Sequence, residues 1–176
     1  MIRLLTILKE VMAGQLTKKT EEKRKWRSNG VQTEYLGVKF RKGNKRIRTL
    51  EFKSKDDKTG SGNYHRQEIE IPDYRDISKL QKNISLKEKI KLATEAGDIN
   101  IKCECQDFLY KGYQWMADAG DYGIDKQDIP PNEKNPNLEG SLCKHLHSVL
   151  ESIDYFYNEI ERDFKKYSKQ RKQGKR

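Results

Sequence analysis

Read for the spacing of apolar side chains, the chain divides into stretches of different period. Ile2, Leu4, Leu5, Leu8 and Met12 recur at helical spacing, and Ala13-Gly14 ends that run. A polar, basic stretch follows to Asn29-Gly30, where a turn is expected. Residues 1–28 therefore read as an arm, a short helix followed by a basic segment. From Val31 the pattern alternates. Tyr35, Gly37-Val38 and Phe40 predict one strand, and Ile47, Leu50 and Phe52 a second. Arg41-Lys42-Gly43-Asn44 between them suits a hairpin turn, because Gly and Asn tolerate positive φ. Residues 54–63 read as a solvated loop. Tyr64, Ile69 and Ile71 predict a third strand, ended by Pro72.

The second half is mostly helical in period. One helix is expected from Asp73 to about Lys82. A second starts at Ser85, carries Leu86, Ile90, Leu92 and Ala93, and stops at Gly97. Ser85 followed three residues later by Glu88 fits a capping box. Ile99 to Cys103 reads as a short strand. Phe108 to Ala119 reads as one helix with Phe108, Leu109, Trp115 and Met116 on one side. Residues 120–141 hold three of the four prolines and read as a loop or excursion. The last helix begins near Cys143, with Leu146, Val149, Leu150, Ile153, Phe156 and Ile160 at helical spacing. It is expected to fade at Lys166-Tyr167-Ser168-Lys169 into a disordered basic tail, 165–176. The pattern predicts an α+β domain over 29–164: a small antiparallel sheet, a long C-terminal helix, and basic arms at both ends.

Composition changes this picture in one respect. Of 176 residues, 36% are charged and only 34% hydrophobic, so the core is small and gains from a metal or a partner. The net charge of +10 favours an anionic partner, either nucleic acid or an acidic protein surface. Its candidate contacts are Lys23, Arg24, Lys25, Trp26 and Arg27, with Arg46 and Arg48 further on. No stretch approaches the roughly 18 apolar residues that span a bilayer, and the opening run is too short and too interrupted for a secretory signal. A reducing setting and no membrane contact are expected.

The candidate chemistry lies in Cys103-Glu104-Cys105 and Cys143-Lys144-His145. All three cysteines of the chain belong to these two dyads. In a reducing compartment, clustered cysteines bind metal more often than they form bridges. Zinc takes thiolate and imidazole ligands in a tetrahedron, and four protein ligands leave no position for an activated water. Side chains two apart in a strand share a face, so the first dyad can present both sulfurs to one ion. Cys103, Cys105, Cys143 and His145 are therefore the expected zinc ligands. His147 competes for the fourth place, and His65 reads as an ordinary surface histidine. Asp107 reads as a helix N-cap or a partner for His145. Catalysis is not expected: the H-x-E and P-C-x-x-C spacings of zinc deaminases are absent. Phe108, Tyr110, Tyr113 and Trp115 read as core around the metal rather than as a base-stacking platform.

These residues resemble the SWIM-type zinc finger, whose pattern is Cys-x-Cys, a spacer, then Cys-x-His. Cys103-Glu104-Cys105-Gln106-Asp107-Phe108 is similar to that family's C-x-C-x-D-F, and Cys143-Lys144-His145-Leu146 with Val149-Leu150 to its C-K-H-L-x-x-V-L. The resemblance covers about residues 99–153, with a longer spacer than most members have. Gly97-Asp98-Ile99, the aromatic helix after Phe108, and Pro130-Pro131, Asn135-Pro136 and Gly140 also resemble a SWIM-like group among virion structural proteins of tailed bacteriophages, from the neck, tail or baseplate. This resemblance implies a non-enzymatic assembly protein without a small-molecule substrate. It would be made in the host cytoplasm, carried in the virion, and bound in multiple copies to other virion proteins. The alternative is a nucleic-acid-binding zinc module.

Overall fold

The computed structural model describes residues 2–3, 28, 30–41, 44–56, 63–111, 113–119, 123–125 and 142–173. Five strands form one antiparallel sheet: β1 (Ile2–Arg3), β2 (Val31–Arg41), β3 (Asn44–Asp56), β4 (Tyr64–Ile71) and β5 (Asp98–Cys103), in the order β1-β5-β4-β3-β2. Between β4 and β5 lie α1 (Tyr74–Leu80) and α2 (Leu86–Glu95). After β5 come α3 (Gln106–Tyr110), α4 (Tyr113–Ala119) and the long α5 (Lys144–Gln173). The architecture is α+β, as the alternation of periods predicts.

The inner face of the sheet follows the period of two. Leu50 and Phe52 on β3, Ile69 and Ile71 on β4, and Ile99 and Ile101 on β5 are fully buried. On β2 the alternation slips by one. Tyr35 pairs Phe52 while Gly37 pairs Glu51, so Leu36 is an extra residue in a β-bulge. The slip turns Val38 into the core and leaves Leu36 exposed. Gly37 takes φ +147° there, a backbone conformation open to glycine.

α5 lies across this face, chiefly along β2. Its stripe of Leu146, Val149, Leu150, Ile153, Tyr157, Ile160 and Phe164 is buried, spaced at the three and four of an amphipathic helix. Phe52 meets Phe156 edge-on at 5.8 Å, and Tyr35 lies 5.5 Å from Phe52. The Tyr35 hydroxyl donates to Asp163 at 3.2 Å. The helix is anchored from the other side by α2, where Thr94 Oγ1 and the Tyr157 hydroxyl share a hydrogen bond of 2.6 Å. The predicted capping box starts α2: Ser85 Oγ accepts from Glu88 N at 3.2 Å, and the Glu88 carboxylate accepts from Ser85 N at 2.7 Å.

Several expectations change. Ile2–Arg3 is not helical; it pairs with Ile99 and Asp98, satisfying backbone groups on the open edge of β5. Residues 4–27 of the predicted arm, with Lys23, Arg24, Lys25, Trp26 and Arg27, lie outside the described residues, while Ser28 is buried and its hydroxyl donates to Glu151 at 3.2 Å. β3 continues through Ser54 to Asp56, because Ser54 and Lys55 pair with His65 and Tyr64. The helix predicted over Phe108–Ala119 is two helices. Lys111 ends α3 with its N–H on Asp107 O, and Gly112 follows in the sequence, a residue that weakens a helix interior. α5 does not fade at Lys166. It runs to Gln173, supported by Lys165–Glu161 at 3.0 Å, by Ser168 Oγ donating to Phe164 O, and by Tyr167 against the core. Most of the 120–141 excursion lies outside the described residues. Gly123 and Ile124 return to β5, where Ile124 N donates to Ile101 O at 3.2 Å.

Candidate metal centre

Both dyads sit where an element begins or ends. Cys103 is the last residue of β5, and the strand's face turns its side chain inward, beside Gln67 in register on β4. Glu104 N donates to Arg66 O at 3.1 Å, which keeps the backbone extended for one more step. Glu104 is thus exposed while Cys103 and Cys105 both face the interior. Cys105 is the N-cap of α3, its sulfur accepting from Phe108 N at 3.3 Å. Cys143 precedes α5, and its carbonyl accepts the N–H of His147 at 3.1 Å, which closes the first turn around His145.

This brings Cys103, Cys105, Cys143 and His145 together. Their ligand atoms all lie within 4.8 Å of one another, and all four residues are buried. Among the described residues, neither ring nitrogen of His145 has a hydrogen-bond partner, although both are buried. A buried imidazole with neither nitrogen satisfied carries a desolvation cost, and coordination of one nitrogen to a cation relieves much of it.

The sulfurs are electrostatically unequal. Hydrogen bonds from Cys103 and then Cys143 hold the Cys105 thiol far below the usual range. Burial pushes Cys103 and Cys143 well above it. A divalent cation bound among the three sulfurs would replace their thiol protons. Three sulfurs and one imidazole suit a soft or borderline metal ion.

Compared with family models, curated proteins and solved structures, the chain finds no match.

His147 is buried on α5 but stands outside the four-residue group, so the structure brings together the set with His145. Asp107 is neither N-cap nor partner of His145; Cys105 caps α3, and the Asp107 carboxylate pairs with Lys111 at 2.8 Å. His65 is not an ordinary surface histidine. It is half-buried, with its ring 4.6 Å from that of His145. Burial, and next the neighbouring His145, hold its imidazole below the usual histidine range. Phe108 and Tyr113 are buried as expected, while Tyr110 is exposed. Arg48 lies 5.9 Å from the Tyr74 ring and 6.0 Å from that of Phe164, packed on the fold rather than extended from it. The side chain of Arg46 lies outside the described residues.

Sequence reasoning also missed Gln67, whose Nε2 lies 3.6 Å from Cys103 Sγ. The only signal was its place two residues after His65 on an alternating strand, which says nothing until the β4–β5 register is known.

Proposed function

We propose that the four residues hold one structural zinc ion, which clasps the end of β5 to the start of α5 in a non-enzymatic assembly protein. The observation that carries this reading is the convergence of four buried donors from two distant dyads to within 4.8 Å. A zinc tetrahedron with Zn–S bonds of about 2.3 Å sets its corners about 3.8 Å apart, so only a small inward shift is needed. Four protein ligands leave no open position for a substrate or a reactive water, which makes the role structural. The ion would supply folding free energy to a chain with a small apolar core.

The assembly role in a tailed-phage virion, at neck, tail or baseplate, rests on the SWIM-like dyads and on the residues around them. Charge pairing supports a protein partner over nucleic acid. On the outer face of the sheet Lys39 bridges Glu51 and Glu68, Lys53 pairs Glu34, and Lys102 pairs Asp125, so these three lysines are already matched by carboxylates.

Two measurements test the proposal. Elemental mass spectrometry on the purified chain is expected to find about one zinc per chain, lost in a Cys103→Ser/Cys143→Ser variant. Absence of metal from protein prepared without chelator would refute the clasp. Binding to mixed-sequence DNA across a salt series tests the alternative. A steep fall in affinity with salt, from counterion release, would favour the nucleic-acid module.

A further inference from the structure

β4 contributes no ligand to the centre, yet one of its fully buried side chains reaches it. Gln67 is completely enclosed, and each of its polar atoms is engaged. Nε2 donates to the His65 carbonyl at 2.8 Å and to Cys103 Sγ at 3.6 Å, and Oε1 accepts from Ser54 Oγ at 2.9 Å. The carbonyl of His65 can only accept, so the amide's orientation follows from the chemistry of its neighbours.

Beyond Gln67 the contacts continue across the sheet. Ser54 Oγ lies 3.1 Å from Thr33 Oγ1, and Thr33 Oγ1 lies 2.9 Å from Ser148 Oγ. Proton counting gives this series a direction. Each hydroxyl has one proton. Ser54 uses its proton on Gln67 Oε1, so Thr33 must donate to Ser54. The Val31 carbonyl, which can only accept, takes the Ser148 proton at 3.2 Å, so the Thr33–Ser148 contact has no direction of its own. From Thr33 through Ser54 and Gln67 the donors point toward Cys103. Hydrogen bonds aligned head to tail polarise one another, and in a buried setting the effect concentrates at the terminal acceptor.

We propose that Gln67 is a positioning residue of the metal centre, the last member of a polarised relay Thr33–Ser54–Gln67 that stabilises the sulfur of Cys103 as a metal ligand. This rests on the metal reading above. Thr33 also meets Ser148, one turn after His145 on α5, so helix and sheet would be joined twice, through the ion and through the hydrogen bonds of Thr33 and Ser148. Seating of α5 on the sheet and retention of the ion are therefore coupled. Outer-shell partners of this kind typically change metal affinity by about 10–100-fold.

The test uses the full chain loaded with cobalt(II), whose thiolate charge-transfer band reports directly on the sulfurs, and chelator competition with zinc. Gln67→Met keeps the side chain's approximate volume and removes the donor. The expected result is a zinc affinity at least about tenfold weaker than wild type, with the charge-transfer band moved to longer wavelength, because a sulfur lone pair that loses its donor rises in energy. Ser54→Ala is expected to move both readouts the same way by less. A packing role alone would leave the band in place. Unchanged affinity and band in a folded Gln67→Met variant would overturn the relay. Should that variant fail to fold, unchanged values in Ser54→Ala would overturn it instead. A wild-type chain with no charge-transfer band would remove the metal reading itself, an outcome distinct from wild-type binding with insensitive variants.

Discussion

The ring of His65 lies across that of His145, with centroids 4.6 Å apart and planes inclined at 49°. One histidine comes from the third predicted strand and the other from the first turn of the last helix, so this contact marks where sheet and helix meet at the candidate centre. His65 stands outside the four-residue ligand group.

The three histidines are therefore expected to separate in a metal assay. His145→Ala should lose the ion. His65→Leu and His147→Ala should each retain about one per chain, measured by elemental mass spectrometry. Loss of metal in His147→Ala with retention in His145→Ala would reverse the ligand assignment.

The proposed clasp would join the end of β5 to the start of α5, so its removal should be felt globally. Cys143→Ser is expected to lower the thermal midpoint sharply, since structural zinc supplies on the order of 10 kcal/mol in small domains. A chelator should produce a comparable fall in the wild type and little further change in the variant. An unaltered midpoint in Cys143→Ser would speak against a structural ion.

Gly37 predicts a cost that space alone does not explain. A Cβ built there meets only Asp163 Oδ2, at an ordinary 3.8 Å. The backbone at φ +147° is nonetheless unfavourable for any other residue. Gly37→Ala should therefore destabilise the fold by roughly 1–3 kcal/mol, read as a lower midpoint in urea. A neutral result would mean that β2 relaxes its bulge and shifts register without penalty.

Alkaline pH should weaken the fold through Tyr35 and Tyr157. Burial, reinforced for Tyr35 by Asp163, raises both phenols well above their ordinary value of 10.0. A folded-state pKa above the unfolded one means that the native chain keeps protons which the unfolded chain releases. Stability is then complete below about pH 10 and declines as pH rises beyond it. A Tyr35→Phe/Tyr157→Phe variant should show a shallower decline between pH 9 and 11, followed by urea unfolding across that range. Parallel slopes would show that other groups govern the alkaline limb.

Much of this protein is legible in its sequence because the signals are local. Alternation over Leu50–Phe52 and Ile69–Ile71 marks strands, since a strand face repeats every second residue. Ser85 and Glu88 mark a helix start because both halves of the capping box lie within one turn. The two Cys-x-Cys/His dyads mark the donors, since each dyad closes its own short chelate. Other features depend on partners that the sequence does not name. Ile2 has helical spacing with its neighbours but joins the edge of β5, where unpaired backbone groups decide its conformation. The helix predicted to stop near Lys166 continues to Gln173, because Tyr167 finds the core and Lys165 finds Glu161.

The sequence by itself determined the class of the fold, the succession of strands and helices from Val31 to Cys103, the long last helix, and the four side chains that gather at the candidate centre. Each follows from residue type and short-range periodicity. Only the tertiary structure decided that His65 rests on His145, that Cys105 rather than Asp107 caps α3, and that Gln67 donates to Cys103. The second and third depend on a sulfur accepting a proton from a group that a local pattern does not weigh. The first and third depend on β4–β5 register and on the placement of α5, and such long-range pairings emerge only when the whole sheet closes under its helix.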